Sequence, residues 1–297
     1  MLINRANLST LYDAFNAAFN KGFTGADNAY TKVAMVVPSS ASSETYGWLG
    51  TFPKMREWVG DRLIQNLAAA TYAIQNRKFE NTVSVGRTDI EDDRYGVFSP
   101  IMAEMGKSAA EHPNELVFSL LAEGFTSKCY DGQYFFDSDH PVTDASGATA
   151  SMSNTGGGSE TPWFLLDISR AIKPLVLQER LPYKLTALTE DNDDNVFWKD
   201  EYIYGVRARS NAGFGLWQLA YGSKQTLDAT SYAAARAAMQ NMRGDGGRPL
   251  GIKPTLLVVP PSLESAGLKL LNSELGTGGE TNEWKGTAEL LVTPWVG

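Results

Sequence analysis

Hydrophobic positions change period several times along this chain, and each change marks an element. Leu8, Leu11, Phe15, Ala18 and Phe19 recur at helical spacing between Asn7, a candidate cap, and Gly22, a candidate stop, which predicts a short amphipathic helix. A strand is expected near Lys32 to Val37, and the small polar run Pro38 to Gly47 reads as a linker. Between Asn76 and Asp93 the period drops to two, with Phe79, Val83 and Val85 on one face and Lys78, Glu80, Thr82 and Ser84 on the other. That ribbon carries too little apolar surface for a core of its own, and an isolated two-stranded ribbon is marginal in water. No partner segment for it stands out in the chain, so another copy is expected to support it. The stretch Thr51 to Ala70 mixes helical and extended signals and reads only as an approach to the ribbon, with Trp58 and Tyr72 anchoring its base.

Helical spacing returns at Ser99 and Pro100, with Ile101, Met102, Met105, Ala109, Leu116, Val117, Leu120 and Leu121 as its stripe and Gly124 as its stop. Pro113 falls inside it. An interior proline costs about 3 kcal/mol in a continuous helix, so a kink near Glu111 and His112, or two helices in line, is expected. Tyr130 to Pro141 reads as a short aromatic hairpin in which Tyr134, Phe135 and Phe136 alternate faces. Thr143 to Glu160 has few bulky apolar groups and is expected to be a loop or a mobile excursion. LVLQERLPYKLTAL and NVFWKDEYIYGVRARSN then read as strands separated by the acidic turn EDNDDN. Ser231 to Met242 is an alanine-rich helix ended by Gly244, and a strand at Thr255 to Val259 leads into a helix over PPSLESAGLKLL. The final AELLVTPWV is expected to close a sheet begun much earlier, which makes two domains interleaved. The class is α+β.

Several of these runs resemble a known family. TFPKMREWVGDR (Thr51 to Arg62), NRKFENTVSVGRTDIEDDRYG (Asn76 to Gly96), HPNELVFSLLAEG (His112 to Gly124) and YDGQYFFDSDHP (Tyr130 to Pro141) look like the major head proteins of Mu-like bacteriophages. WFLLDISRAIKPLVLQER, YGVRARSNAGFGLWQLAYGS and PLGIKPTLLVVPPSLESAGLKLL extend the likeness over nearly the whole chain, and it rests on their order. The resemblance implies the tailed-phage, HK-97-like capsid fold. Residues 1–48 would be an N-terminal arm, 49–95 an extended β-hairpin loop (E-loop), 96–160 a peripheral domain with a spine helix completed by 276–297, and 161–275 mainly an axial domain with some peripheral-domain strands.

It further implies a non-enzymatic shell protein, needing no cofactor, whose hexamers and pentamers tile an icosahedral head around double-stranded DNA. The ribbon from about Gly60 to Asp93 would lie over the next subunit, and Leu227 to Leu275 would meet its equivalents around the capsomer axis. A scaffolding protein, a portal and a shell-expanding maturation are implied as well, with assembly in the host cytoplasm and decoration proteins left open. Arg56, Arg62, Lys78, Phe79, Arg87, Glu91, Asp92 and Asp93 are the candidate subunit-interface residues, the acids pairing with arginines of another copy and making assembly salt-sensitive.

Composition narrows the alternatives. The 297 residues are 43% hydrophobic, enough for a substantial core. Lys and Arg number 26 against 34 Asp and Glu, a net charge of −8 that argues against a sequence-reading DNA binder but not against a container for DNA. A single cysteine, Cys129, allows no intrachain disulfide and reads as a buried structural thiol. The start MLINRANLSTLYDAF has neither the charge pattern of a signal peptide nor a charged helical leader, so a separate scaffold is expected. Gly156 to Gly158 precede Ser159 and Glu160, not the lysine of a phosphate loop. An enzyme reading rests on Asp137, Asp139 and His140 as a metal-dependent hydrolase site. In an extended strand, however, the two aspartates share a face that His140 leaves, and the plainer reading is a turn capped by its own side chains. An encapsulin-like shell holding protein cargo is the other alternative.

Overall fold

The computed structural model describes residues 3–47, 49, 72–92, 94–276 and 278–297. The chain opens with α1 (Arg5–Thr24), longer than its apolar pattern suggested. Its cap is Asn4, whose side chain accepts the Asn7 N–H at 2.9 Å; Asn7 is thus a first-turn donor and not the cap. Gly22 does not stop the helix, which runs to Gly25. A Cβ at Gly22 would collide with the Ala103 carbonyl, so this glycine marks a close helix crossing.

Next come α2 (Tyr30–Val33), β1 (Ala34–Pro38), β2 (Ser43–Thr45), β3 (Ala73–Gln75), β4 (Arg77–Gly86) and α3 (Arg87–Glu91). The ribbon expected through Asp93 therefore ends as a strand at Gly86, and a helix begins there. α4 (Ser99–Ala122) is one helix with Pro113 inside it, and the alternative of two separate helices does not hold. Beside the proline, Asn114 accepts the Tyr30 N–H at 2.8 Å and donates to the Asp27 carbonyl at 2.7 Å, so tertiary bonds hold the helix where its own ladder is interrupted. Ile101, placed in the apolar stripe, is 50% exposed. Met102, Met105, Ala109, Val117 and Leu121 of the expected stripe are buried, and Gly106 and Phe118 join them on that face.

The remaining elements are β5 (His140–Thr143), β6 (Thr149–Met152), β7 (Thr155–Gly158), β8 (Trp163–Leu166), β9 (Leu175–Leu188), α5 (Asp194–Lys199), β10 (Glu201–Phe214) and β11 (Ala220–Lys224). Then follow α6 (Ala229–Gln240), β12 (Arg243–Gly244), β13 (Arg248–Pro249), β14 (Leu256–Val259), α7 (Glu264–Asn272) and β15 (Glu289–Val292). α6 starts with a capping box: Ser231 N–H donates to the Asp228 carboxylate at 2.8 Å, and Asp228 N–H to the Ser231 hydroxyl at 3.1 Å.

Two sheets organise the chain. The first has the order β1-β9-β10-β4. β4 pairs antiparallel with β10 from Glu201↔Gly86 to Ser210↔Arg77. This overturns the expectation that the ribbon lacks a partner in its own chain. Its partner lies far away in sequence, where a local hydrophobic pattern carries no information about pairing. On the inner face Val85, Leu185, Tyr202, Tyr204 and Val206 join Leu11, Phe15 and Phe19 of α1 and Met102 and Met105 of α4 in one core, with Phe15 edge-on to Tyr204 at 5.0 Å. The first helix thus packs on its own chain. α1 and α4 approach closely because Gly106 faces the Phe19 carbonyl as Gly22 faces Ala103.

The second sheet has the order β15-β14-β8-β11-β7. β8 and β14 are buried at every position and form the middle of the larger core. Part of the expected excursion Thr143 to Glu160 is therefore regular: β5 and β6 form a hairpin, and β7 is an edge strand parallel to β11. Its glycines carry no apolar pattern because an edge strand needs only its backbone ladder; Gly158 has φ +96°, and a Cβ there would strike the Lys224 backbone. Between Tyr130 and Pro141 the aromatic residues do not alternate. Phe135 and Phe136 are both buried while Tyr134 is 44% exposed, because the backbone there leaves strand geometry. Phe135 stacks on Phe214 at 4.3 Å, and Phe136 meets Phe164 at 5.4 Å. The strand expected over NVFWKDE is also corrected: Asp194 to Lys199 is α5, closed by Asp200 at φ 55°. β15 adds parallel to β14, and the turn Pro294–Val296 packs against α4.

Candidate assembly surface

Of the residues that sequence singled out, Lys78 and Phe79 stand on β4 of the first sheet, and Arg87, Glu91 and Asp92 in or just after α3, which follows it. Arg87 begins α3, where its N–H donates to the Asp200 carbonyl at 3.0 Å and its guanidinium faces Glu91 at 3.4 Å, Asp191 at 3.5 Å and Asp200 at 3.8 Å. These pairs tie α3 to the β9–β10 turn. Arg87 and Glu91, expected to meet partners on another copy, meet within one chain. The acids are largely exposed, so each pair contributes about 0–1 kcal/mol and the cluster chiefly sets geometry. Asp92 stays exposed. Lys78 lies at the other end of β4 on its outward face, opposite Arg209. Phe79 is half-buried on the inward face, its ring 4.1 Å from that of His112. Arg56, Arg62 and Asp93 lie outside the described residues.

Phe79 and His112 line a cleft of about 180 Å³ between the sheet and α4, together with Ser108, Tyr183 and Ala208. His112 Nδ1 is hydrogen-bonded to the Tyr183 hydroxyl at 2.5 Å. Burial pushes the imidazole below its ordinary pKa; nearby Glu115 opposes this and Arg77 adds to it. Burial likewise pushes the Tyr183 phenol up.

The proposed enzyme cluster does not assemble. Asp137 accepts the N–H groups of Tyr134 at 3.2 Å and Ser138 at 2.7 Å, as a local cap would. His140 faces Asp131 instead, Nδ1 to Oδ2 at 2.7 Å, with Nε2 3.2 Å from Asn154 Oδ1 and its ring stacked on Trp217 at 3.9 Å. Cys129 Sγ donates to the other Asp131 oxygen at 3.1 Å. Asn154 is itself fixed, donating to the Phe135 carbonyl at 2.7 Å and accepting the Asp137 N–H at 2.9 Å.

The donor atoms of Cys129, Asp131 and His140 all lie within 4.8 Å of one another, a grouping that sequence reasoning missed because Asp131 was not among its candidates. The 2.7 Å separation of Nδ1 and Oδ2 is a charge-assisted hydrogen bond, tighter than the roughly 3.3 Å between two donors placed about 2 Å from one tetrahedral ion. Burial would raise the Asp131 carboxyl, but hydrogen bonds from His140 and Cys129 outweigh it and the net shift is downward. The Cys129 thiol is pushed well up by burial and by the Asp131 charge, which keeps it a proton donor and not a nucleophile. The cluster is a buried polar lock joining residues 129–140 to Asn154 and Trp217.

The sequence matches the family described as "Mu-like prophage major head subunit gpT" over residues 8–296. The chain belongs to this family. It is 45% identical over 305 residues to the major capsid protein of Escherichia phage Mu, with both chains covered in full. Among solved structures it is similar to the subunit of the procapsid of bacteriophage JBD30, with TM-score 0.88 and 46% identity over 99% of this chain and 100% of that one. It is also similar to the subunit of the JBD30 capsid, with TM-score 0.78 and 34% identity over 100% of each. The fold of this Mu-like head subunit is thus the α+β, HK97-like phage capsid fold.

Seen as a head subunit, the chain has one surface feature that its sequence pattern concealed. Phe197 and Trp198 of α5 are 71% and 76% exposed, their rings 5.0 Å apart and edge-on. Sequence reasoning assigned them to a strand. The available signal was two adjacent aromatics inside an acidic run, which suits neither a strand nor a soluble turn.

Proposed function

We infer that this chain is the major capsid protein of a Mu-like phage head, a structural subunit whose hexamers and pentamers close an icosahedral shell around double-stranded DNA. The observation that carries this reading is the full-length match of its fold to a procapsid subunit. No bond is made or broken in the proposed role: shape and summed weak contacts close the shell.

The domain boundaries set out above remain our proposal for the division of labour, with α4 as the spine helix. β2 and β3 pair antiparallel, and Tyr46 N–H donates to the Tyr72 carbonyl at 2.9 Å, so the segment between them leaves and returns at one place. This supports an extended loop there that reaches a neighbour. The likeness to the procapsid of one phage is closer than that to its capsid, TM-score 0.88 against 0.78, which supports a subunit that changes form as the shell matures. A scaffolding protein during assembly in the host cytoplasm and a portal at one vertex belong to the same reading.

The test is electron microscopy of particles from cells expressing the chain, alone and with its scaffold, beside size-exclusion chromatography. Closed polyhedral shells or capsomer rings are expected. A chain that stays monomeric under all salt conditions, with scaffold present, would overturn the reading.

A further inference from the structure

Among the described residues, two surfaces of this subunit have no partner within their own chain, an aromatic knob and a cationic sheet face. The first is the knob on α5. Among the described residues, Phe197 and Trp198 have the two highest exposures of the large hydrophobic residues that stand out at the surface. The knob is rigidly seated: the Asn195 side chain donates to the Leu188 carbonyl at 3.1 Å and to the Glu201 carbonyl at 2.7 Å, holding both strand ends. Around it stand Glu190, Asp191, Asp194 and Asp200; Glu190 faces Arg5, Asp191 and Asp200 face Arg87, and Asp194 is left without an ion pair among the described residues. Two preorganised aromatics lose little side-chain entropy on docking, and an aromatic centre with a charged rim is the anatomy of a binding hot spot.

The second surface is the outward face of the first sheet. Strand register sets Lys184 beside Arg207, and Arg209 beside Lys78, with Glu80 the one acid in these rows. None of the four cations forms an ion pair with a carboxylate among the described residues, and the buried Nε of Arg209 has no hydrogen-bond partner. This cationic face stands out on a chain of net charge −8. The inner face of the same sheet is filled by α1 and α4, so these side chains have only the outside to meet.

We propose that the Phe197–Trp198 knob of one copy docks on the cationic sheet face of a second copy, around Lys184, Arg207 and Lys78. The knob sits at the end of the hairpin whose middle carries the cations, so it cannot reach its own face. The contact is heterologous, knob to face, and such contacts repeat around a ring or tile a closed shell. The Asp194 carboxylate beside the knob and the cations on the face would orient the encounter and make it sensitive to salt. The inference rests on the capsid reading.

A photoreactive phenylalanine analogue placed at position 198 tests it, in shells assembled from a mixture of isotope-labelled and unlabelled chains. Intermolecular crosslinks to peptides containing Lys78, Lys184 or Arg207 are expected. Crosslinks to other parts of the chain, to a different protein such as a scaffold or decoration protein, or to nothing within formed shells would overturn the proposal. In parallel, Trp198→Ser and Arg207→Glu should each lower shell yield by about tenfold without changing the melting temperature of the unassembled chain. Asp194→Lys should restore part of the yield lost by Arg207→Glu, a recovery that a purely structural role for Arg207 would not produce. Normal shells from Trp198→Ser alone sink this inference and leave the capsid reading standing; absence of shells from the unaltered chain, with its scaffold present, takes down both.

Discussion

His112 sits where α4 meets the first sheet, between the Phe79 ring and the Tyr183 hydroxyl. Its folded-state pKa lies below the ordinary 6.5, chiefly because of burial, so the unfolded chain takes up a proton before the folded one does. Its stability contribution is therefore fully present above pH 6.5 and declines as the pH falls from there toward the lower folded value. The urea midpoint of the unassembled chain should drop between pH 7.5 and 5.5, and His112→Gln should flatten that drop; parallel profiles would refute the assignment. Asp131 behaves in the same sense at lower pH: its lowered pKa means stability present above its ordinary 3.8 and lost as the pH falls through the folded value. His140→Ala removes the partner of this nearly buried carboxylate and should destabilise the chain by about 3 kcal/mol in urea titration. Both histidines were visible in the sequence, but their partners were not, since Tyr183, Asp131 and Asn154 reach them from other elements.

Elements with a strong local period were legible: the first helix, the long α4, α6, α7, and the strands β9 and β14 all stand close to where their patterns place them. The misses share a physical cause. β7 is an edge strand held by backbone bonds, α5 is a short helix forced by a hairpin turn, and the cap and stop of α1 depend on which polar group or glycine the tertiary packing leaves free. Gly22 illustrates this, because the close approach of α4 takes the glycine that sequence read as a terminator. The same crossing supplies a test. Gly106→Ala would press a methyl group into the Phe19 carbonyl and should cost about 2 kcal/mol, seen as a lower melting temperature, whereas Gly96→Ala, with nothing within 4 Å of the added carbon, should be close to neutral. Asp228→Ala, which removes the capping box of α6, should cost about 1 kcal/mol by the same measurement.

At the scale of the whole molecule, the β4 part of the ribbon, expected to need another copy, is claimed by its own subunit, and so is the first helix. A chain lacking residues 1–24 should consequently lose cooperative unfolding as a monomer, because Leu11, Phe15 and Phe19 complete the core shared by α4, β4 and β10. Normal two-state unfolding of that truncation would mean the helix serves another copy instead. The order of the motif runs, through their resemblance to a known family, pointed to the class, the family and the function, while length, apolar content and the single cysteine only narrowed the alternatives, since all of these depend on which residues are present and in what sequence. Local period likewise determined which stretches coil or extend and which of their faces turn inward. Tertiary structure alone decided that β4 pairs with β10, that His140 turns from Asp137 and Asp139 to Asp131, and that an aromatic pair stands out at a hairpin's end. Those are contacts between residues far apart along the chain, and their free energy arises only once the backbone has brought them together.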